Sequence, residues 1–178
     1  MKTISKKDWF LLVVYGSALA LLVVTALVTA YVLSHPESGL KEVNPVVIGF
    51  VSEYGLLVGL LVVNLYNMVM IMLLWVIFIP YLRLRKRHRW ENILADSLVY
   101  SGMAAYGFYM LISWLLNAVH DVSWLLFNSC PYMIVAVREF WESAIYLILI
   151  ILAVLLPLLY YLMRKERSKQ MSQTQPIS

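Results

Sequence analysis

Four long apolar stretches, at 9–33, 54–82, 93–119 and 140–163, set the main constraint on this chain. A helix needs roughly 20 apolar residues to cross about 30 Å of hydrocarbon. Each stretch is longer than that. In the first, the polar side chains are limited to Tyr15, Ser17, Thr25, Thr29 and Tyr31. The runs are apolar on every face, whereas barrel strands alternate over about 10 residues. The sequence therefore predicts an all-α, integral membrane four-helix bundle over 1–167, with a disordered polar tail at 168–178. The second stretch exceeds the length a crossing requires, so it tilts or projects beyond the bilayer.

Composition supports this and excludes the alternatives. Of 178 residues, 62% are hydrophobic and 13% charged. Soluble domains sit near about 45–50% apolar and about 25% charged. A soluble globular domain, a disordered chain and a disulfide-rich secreted module are all ruled out. Cys130 is the one cysteine, so no disulfide can form within the chain and a cysteine-built metal cluster has no support. The first stretch is too long for a signal peptide core, and Ser34-His35-Pro36 makes no small-x-small cleavage site, so it reads as a retained span.

The basic residues give the direction. Lys2, Lys6 and Lys7 precede the first span. Arg83, Arg85, Lys86, Arg87 and Arg89 lie between the second and third, and Arg164, Lys165, Arg167 and Lys169 follow the fourth. Lys41 and Arg138 fall on the other side. By the positive-inside rule both termini face the cytoplasm of a multi-pass cell-membrane protein. The net charge of +4 is thus a topology signal and implies no nucleic-acid partner. The basic run at 83–89 also suits anionic lipid headgroups.

The outer connections are expected at 34–53 and 120–139. The second contains Trp124, Leu125, Leu126, Phe127, Tyr132, Met133, Ile134 and Val135, too apolar for a solvated loop. It predicts a short interfacial helix or a partly re-entrant segment. Between spans, small residues permit close helix approach. Gly16 and Ala20, Gly55 and Gly59, and Ser97, Ser101 and Ala105 are spaced by four and mark packing faces, within the bundle or between copies. Pro157 should kink the fourth span. Met68, Met72, Met103 and Met110 read as pliable packing residues and not as a thioether metal site, because no His or Cys lies at matching depth.

Polar groups inside the bilayer are the best functional pointers. Asn64 and Asn67 share a face at mid-span. Asp96 lies near the inner end of the third span, one turn after Asn92, and Asn117 lies near its outer end. For Asn64 and Asn67, interhelical hydrogen bonding competes with lining a path for an ion or substrate. For Asp96, a lock with Arg85 or Arg89 competes with a protonatable carboxylate in such a path. On the outer side His35, Glu42, Glu53, His120 and Asp121 have the residue types for Zn²⁺ without diagnostic spacing. The histidines are not placed for bis-His haem, and no phosphate loop, nucleophile elbow or HExxH motif occurs. No cofactor is implied.

Thr25 and Thr29 close the first span. A short polar turn and Glu42-Val43-Asn44-Pro45 follow, ahead of the second span. This layout resembles an uncharacterised family of small prokaryotic, largely archaeal, multi-pass membrane proteins with a Glu-x-Asn-Pro turn after the first span. That family usually opens its first span with an Asn and an Asp, of which Asp8 alone has a counterpart here. Its late-span Tyr and Asn match Tyr106 and Asn117. The resemblance covers residues 1–80 and part of the third span, and it implies a fold without a mechanism. Independently, Pro45 suits the first turn of a helix and Asn44 its cap, so the second helix is expected to begin before the membrane.

The function expected first is a non-catalytic structural or accessory subunit of a larger membrane complex, with other subunits or copies of itself as partners. The alternatives are a small transporter or channel subunit using Asn64, Asn67 and Asp96, and a membrane enzyme using the outer His/Glu/Asp set.

Overall fold

The computed structural model describes residues 6–35, 45–88, 92–127 and 143–174. Every element among them is helical: α1 (Lys6–Ser34), α2 (Pro45–Tyr54), α3 (Leu56–Met72), α4 (Trp75–His88), α5 (Ile93–Phe127) and α6 (Ala144–Thr174). Four stretches are long and apolar enough to cross a membrane: Lys7–Ser34, Leu56–Lys86, Ile93–Phe127 and Ala144–Ser168.

The second stretch is two helices and not one, α3 and α4, and α2 leads into it. Pro45 opens α2, its fixed φ and missing N–H costing nothing in a first turn. Gly55 ends α2 with φ 81° and ψ 166°, a conformation essentially reserved for glycine. The Gly55 N–H donates to the Val51 carbonyl at 2.9 Å, and the Gly55 carbonyl accepts from the Gly59 N–H at 2.8 Å. The chain bends so sharply here that a Cβ on Gly59 would stand 2.6 Å from Val51 Cα. Glycine is the residue that fits at that crossing.

A second break follows Met72. The Leu73 N–H reaches back three residues to the Met70 carbonyl at 3.3 Å, and regular bonding resumes with Phe78 on Leu74. No Gly or Pro marks this break in the sequence. Pro80 lies further on, inside α4.

The chain forms two compact units, 1–73 with 107–144, and 74–106 with 145–178. In the first, α3 packs on both α1 and α2. The buried stripe of α1 is Leu11, Val14, Tyr15, Ala18 and Leu22. Tyr15 and Val14 press on Gly107 of α5, where a Cβ would meet them at 2.8 and 3.1 Å. Phe10 and Phe108 add a tilted ring contact at 5.7 Å.

In the second unit Phe78 is fully buried between aromatic edges, 5.4 Å from Trp75 and 5.3 Å from Tyr100. Ser97 of α5 meets Met163 of α6 at 3.4 Å.

Two boundaries differ from expectation. The third span was expected to end at 119, with an interfacial or re-entrant segment after it. In the structure α5 continues without a break through Phe127, and the sequence from 120 to 127 carries no Gly or Pro to interrupt it. Residues 128–142, with Cys130 and Tyr132 to Val135, lie outside the described residues. The tail at 168–178 was expected to be unstructured, yet α6 runs to Thr174. The residues after Met163 are mostly straight-chain helix formers such as Arg, Lys, Glu and Gln, which extend an established helix at little cost. The helix is also unbroken across Pro157, which removes a donor for the Ala153 carbonyl.

Candidate functional site

Asn92 starts the most developed polar cluster. Its Oδ1 accepts the N–H groups of Leu94 at 3.0 Å and Ala95 at 3.2 Å, which caps α5. The cap fixes the first turn and so places Asp96, whose negative charge suits that end of the helix dipole. Asp96 is 7% exposed. Its Oδ1 accepts a hydrogen bond from the Tyr81 hydroxyl at 2.5 Å, and its Oδ2 pairs with the Arg85 guanidinium at 2.9 Å. Tyr81 and Arg85 are one turn apart on α4, so they approach the carboxylate together. Of the two arginines considered for Asp96, Arg85 is the one the structure places there. Arg89 lies outside the described residues.

This cluster joins α4 to α5 and leaves neither carboxylate oxygen bare. Beside it, Ser97 donates to the Ile93 carbonyl at 2.7 Å while touching Met163. One turn further on, Ser101 is fully buried and its hydroxyl has no hydrogen-bond partner among the described residues.

The other intramembrane candidates, Asn64, Asn67 and Asn117, belong to the first unit. Asn64 donates through Nδ2 to the Leu60 carbonyl of its own helix at 2.8 Å. Asn117 does the same to Ser113 at 2.9 Å. Both bonds fall on the preceding turn, where no second helix is needed. Asn67 is half-buried. The expected interhelical bonds of Asn64 and Asn67 are absent among the described residues.

The described members of the outer set are His35, Glu53, His120 and Asp121. His35 caps its own helix, Nδ1 facing the Tyr31 carbonyl at 3.0 Å, and stacks on the Tyr31 ring at 4.5 Å. His120 Nδ1 lies 3.1 Å from the carboxylate of its neighbour Asp121. Glu53 sits beside Tyr54, and as hydrogen-bond partner and charge it raises that exposed phenol above the ordinary tyrosine value. Glu42 lies outside the described residues. Among the described residues no three His, Cys, Asp or Glu side chains are grouped to hold a metal ion.

Of the expected packing residues, Gly59 is the crossing point of α2 and α3, and Ser97 and Ser101 are buried. Gly55 acts through its backbone and not through contact. Gly16 is exposed, with open space where a Cβ would stand, because the buried face of α1 runs through Tyr15 and Ala18 instead. Sequence reasoning missed Tyr81 and Gly107. Tyr81 had a signal, being one turn before Arg85. Gly107 had none beyond its lack of a side chain.

Fold and site together define, among the described residues, a helical chain with four potential membrane spans and a charged lock at the α4–α5 corner. Comparison with protein-family models, with curated proteins and with solved structures finds no match.

Proposed function

We propose that this is a non-catalytic multi-pass membrane protein that serves as a structural or accessory subunit of a larger membrane complex, with both termini cytoplasmic. The observation that carries this reading is the use made of the polar groups in the spans. Asp96 is held by Tyr81 and Arg85, and Asn64 and Asn117 bond to their own helices. A transport path needs polar groups that present themselves to a permeating species, and relays in pumps use chains of them. Here they serve the helices that carry them.

The surface agrees. None of the most apolar stretch of α6 is buried. Tyr146, Tyr160 and Tyr161 of α6 are exposed with it. A helix so little used by its own chain suits contact with another subunit, where aromatic residues contribute most. The resemblance carried by Glu42-Val43-Asn44-Pro45 fits a small membrane protein of this kind and adds no activity.

Flux measurements test this against the transport reading. Liposomes holding the purified chain should show no proton or cation flux above protein-free liposomes, and Asp96→Asn should change nothing. A flux that Asp96→Asn abolishes would replace the subunit reading with a transporter.

A further inference from the structure

The lock at Asp96 separates the basic residues of the second unit into two groups. Arg85 is turned inward to the carboxylate. Arg83 and Lys86, on the same end of α4, are exposed and make no ion pair among the described residues. The same holds for Arg164 and Lys165 on α6. Two contacts bring the helices that carry these pairs to the first turn of α5. Arg85 meets Asp96 at 2.9 Å, and the next residue, Ser97, meets Met163 at 3.4 Å. Met163 directly precedes Arg164. The first turn of α5 therefore meets both the basic end of α4 and the basic stretch of α6. The acids on these segments are Asp96, already paired, and Glu166; Glu91, in the α4–α5 connection, lies outside the described residues.

We infer that Arg83 and Lys86 of α4 and Arg164 and Lys165 of α6 form one binding site for the headgroup of an anionic phospholipid, built around the first turn of α5. Charge complementarity names an anion. The surface immediately along the same helices names a lipid: Leu84 on α4 is 55% exposed and Leu162 on α6 is 43% exposed. Acyl chains can lie on that surface while the phosphate meets the cations, an arrangement that basic side chains at a membrane boundary favour. A free anion would gain the charges and nothing from the leucines. This site differs from a simple basic run in the α4–α5 connection. It excludes Arg85 and requires α6. It does not depend on the subunit reading.

The test uses the full chain in a neutral detergent, with native mass spectrometry reading the bound probe. The probes are dioleoylphosphatidylglycerol, dioleoylphosphatidylcholine and inorganic phosphate. Phosphatidylglycerol should be retained and phosphatidylcholine lost, and phosphate should not displace the former. Arg83→Gln/Lys86→Gln and Arg164→Gln/Lys165→Gln should each weaken phosphatidylglycerol binding, roughly fivefold per charge removed. Arg83→Lys/Arg164→Lys should retain it, and so should Lys6→Gln/Lys7→Gln, which removes two cations from the other unit. Equal retention of phosphatidylcholine, or displacement by phosphate, would overturn the lipid assignment. Sensitivity to one pair alone, or an equal loss in the Lys6/Lys7 variant, would overturn the two-helix site. Loss in the charge-conserving variant would assign the effect to folding and overturn it as well.

Discussion

Arg85 on α4 and Asp96 on α5 stand 2.9 Å apart, with the Tyr81 hydroxyl on the second oxygen of the same carboxylate. Eleven residues separate the pair in sequence, and the turn between them is closed by the Asn92 cap. A buried carboxylate is costly unless it is paired and hydrogen-bonded, and this one has both, with a helix N-terminus in addition. The corner between α4 and α5 is thus defined by chemistry as well as by connection length.

Removing one partner should expose that cost. Arg85→Gln leaves Asp96 buried with the tyrosine alone. The Arg85 side chain is 37% exposed, so solvent screening tempers the loss. About 1–3 kcal/mol of stability should disappear. Tyr81→Phe should cost about 0.5–1.5 kcal/mol. The double variant Arg85→Met/Asp96→Leu should recover most of the loss, because no charge is then left unpaired. Thermal unfolding in detergent reads all three. A double variant less stable than Arg85→Gln would show that the pair is not an isolated lock.

Gly59 and Gly16 should behave oppositely. Gly59→Leu forces a side chain into the backbone of Val51, so α2 must separate from α3. Overpacking of this kind costs about 1–3 kcal/mol or more. Gly16→Leu enters open space and should be close to neutral. Leu60→Ala, at a half-buried position, should cost less than Gly59→Leu. Melting temperatures of the three variants decide the order, and a stable Gly59→Leu protein would refute the close crossing.

Gly55→Ala isolates backbone from packing. Nothing lies near its absent Cβ, so any loss arises from φ 81°. About 1 kcal/mol or more is expected, since alanine does not adopt this region without strain. An unchanged melting temperature would mean that the α2–α3 turn adjusts freely.

Topology is accessible to labelling. With Cys130 replaced by serine, an impermeant thiol reagent applied to intact cells should modify Ser38→Cys and spare Ser172→Cys. The basis is the concentration of basic residues on one side of the four spans. Modification of Ser172→Cys in intact cells would reverse or break the topology.

The four apolar stretches were legible because membrane insertion imposes length and hydropathy directly on sequence. The start of α2 was legible too, through Pro45. The break at Leu73 was not. Met72-Leu73-Leu74-Trp75 carries no helix-breaking residue, and the aromatic packing of Trp75, Phe78 and Tyr100 just after it is tertiary. The third span was read to 119, and α5 runs on to Phe127, since a helix can continue past the stretch needed for a crossing. At the candidate site, charge made Arg85 and Asp96 visible as a pair. For Asn64, bonding between helices was weighed against lining a path, whereas a short amide side chain can turn back to its own preceding carbonyl, as Asn117 also does. Sequence spacing does not distinguish those two outcomes.

The subunit assignment is tested most directly by isolating the native chain from its own membrane in a mild detergent and weighing the intact assembly by native mass spectrometry. The chain should appear in fixed stoichiometry with at least one other membrane polypeptide, and the ratio should persist across preparations and detergent concentrations. A chain that is recovered alone or only with copies of itself, under conditions that keep other membrane complexes intact, would contradict the assignment.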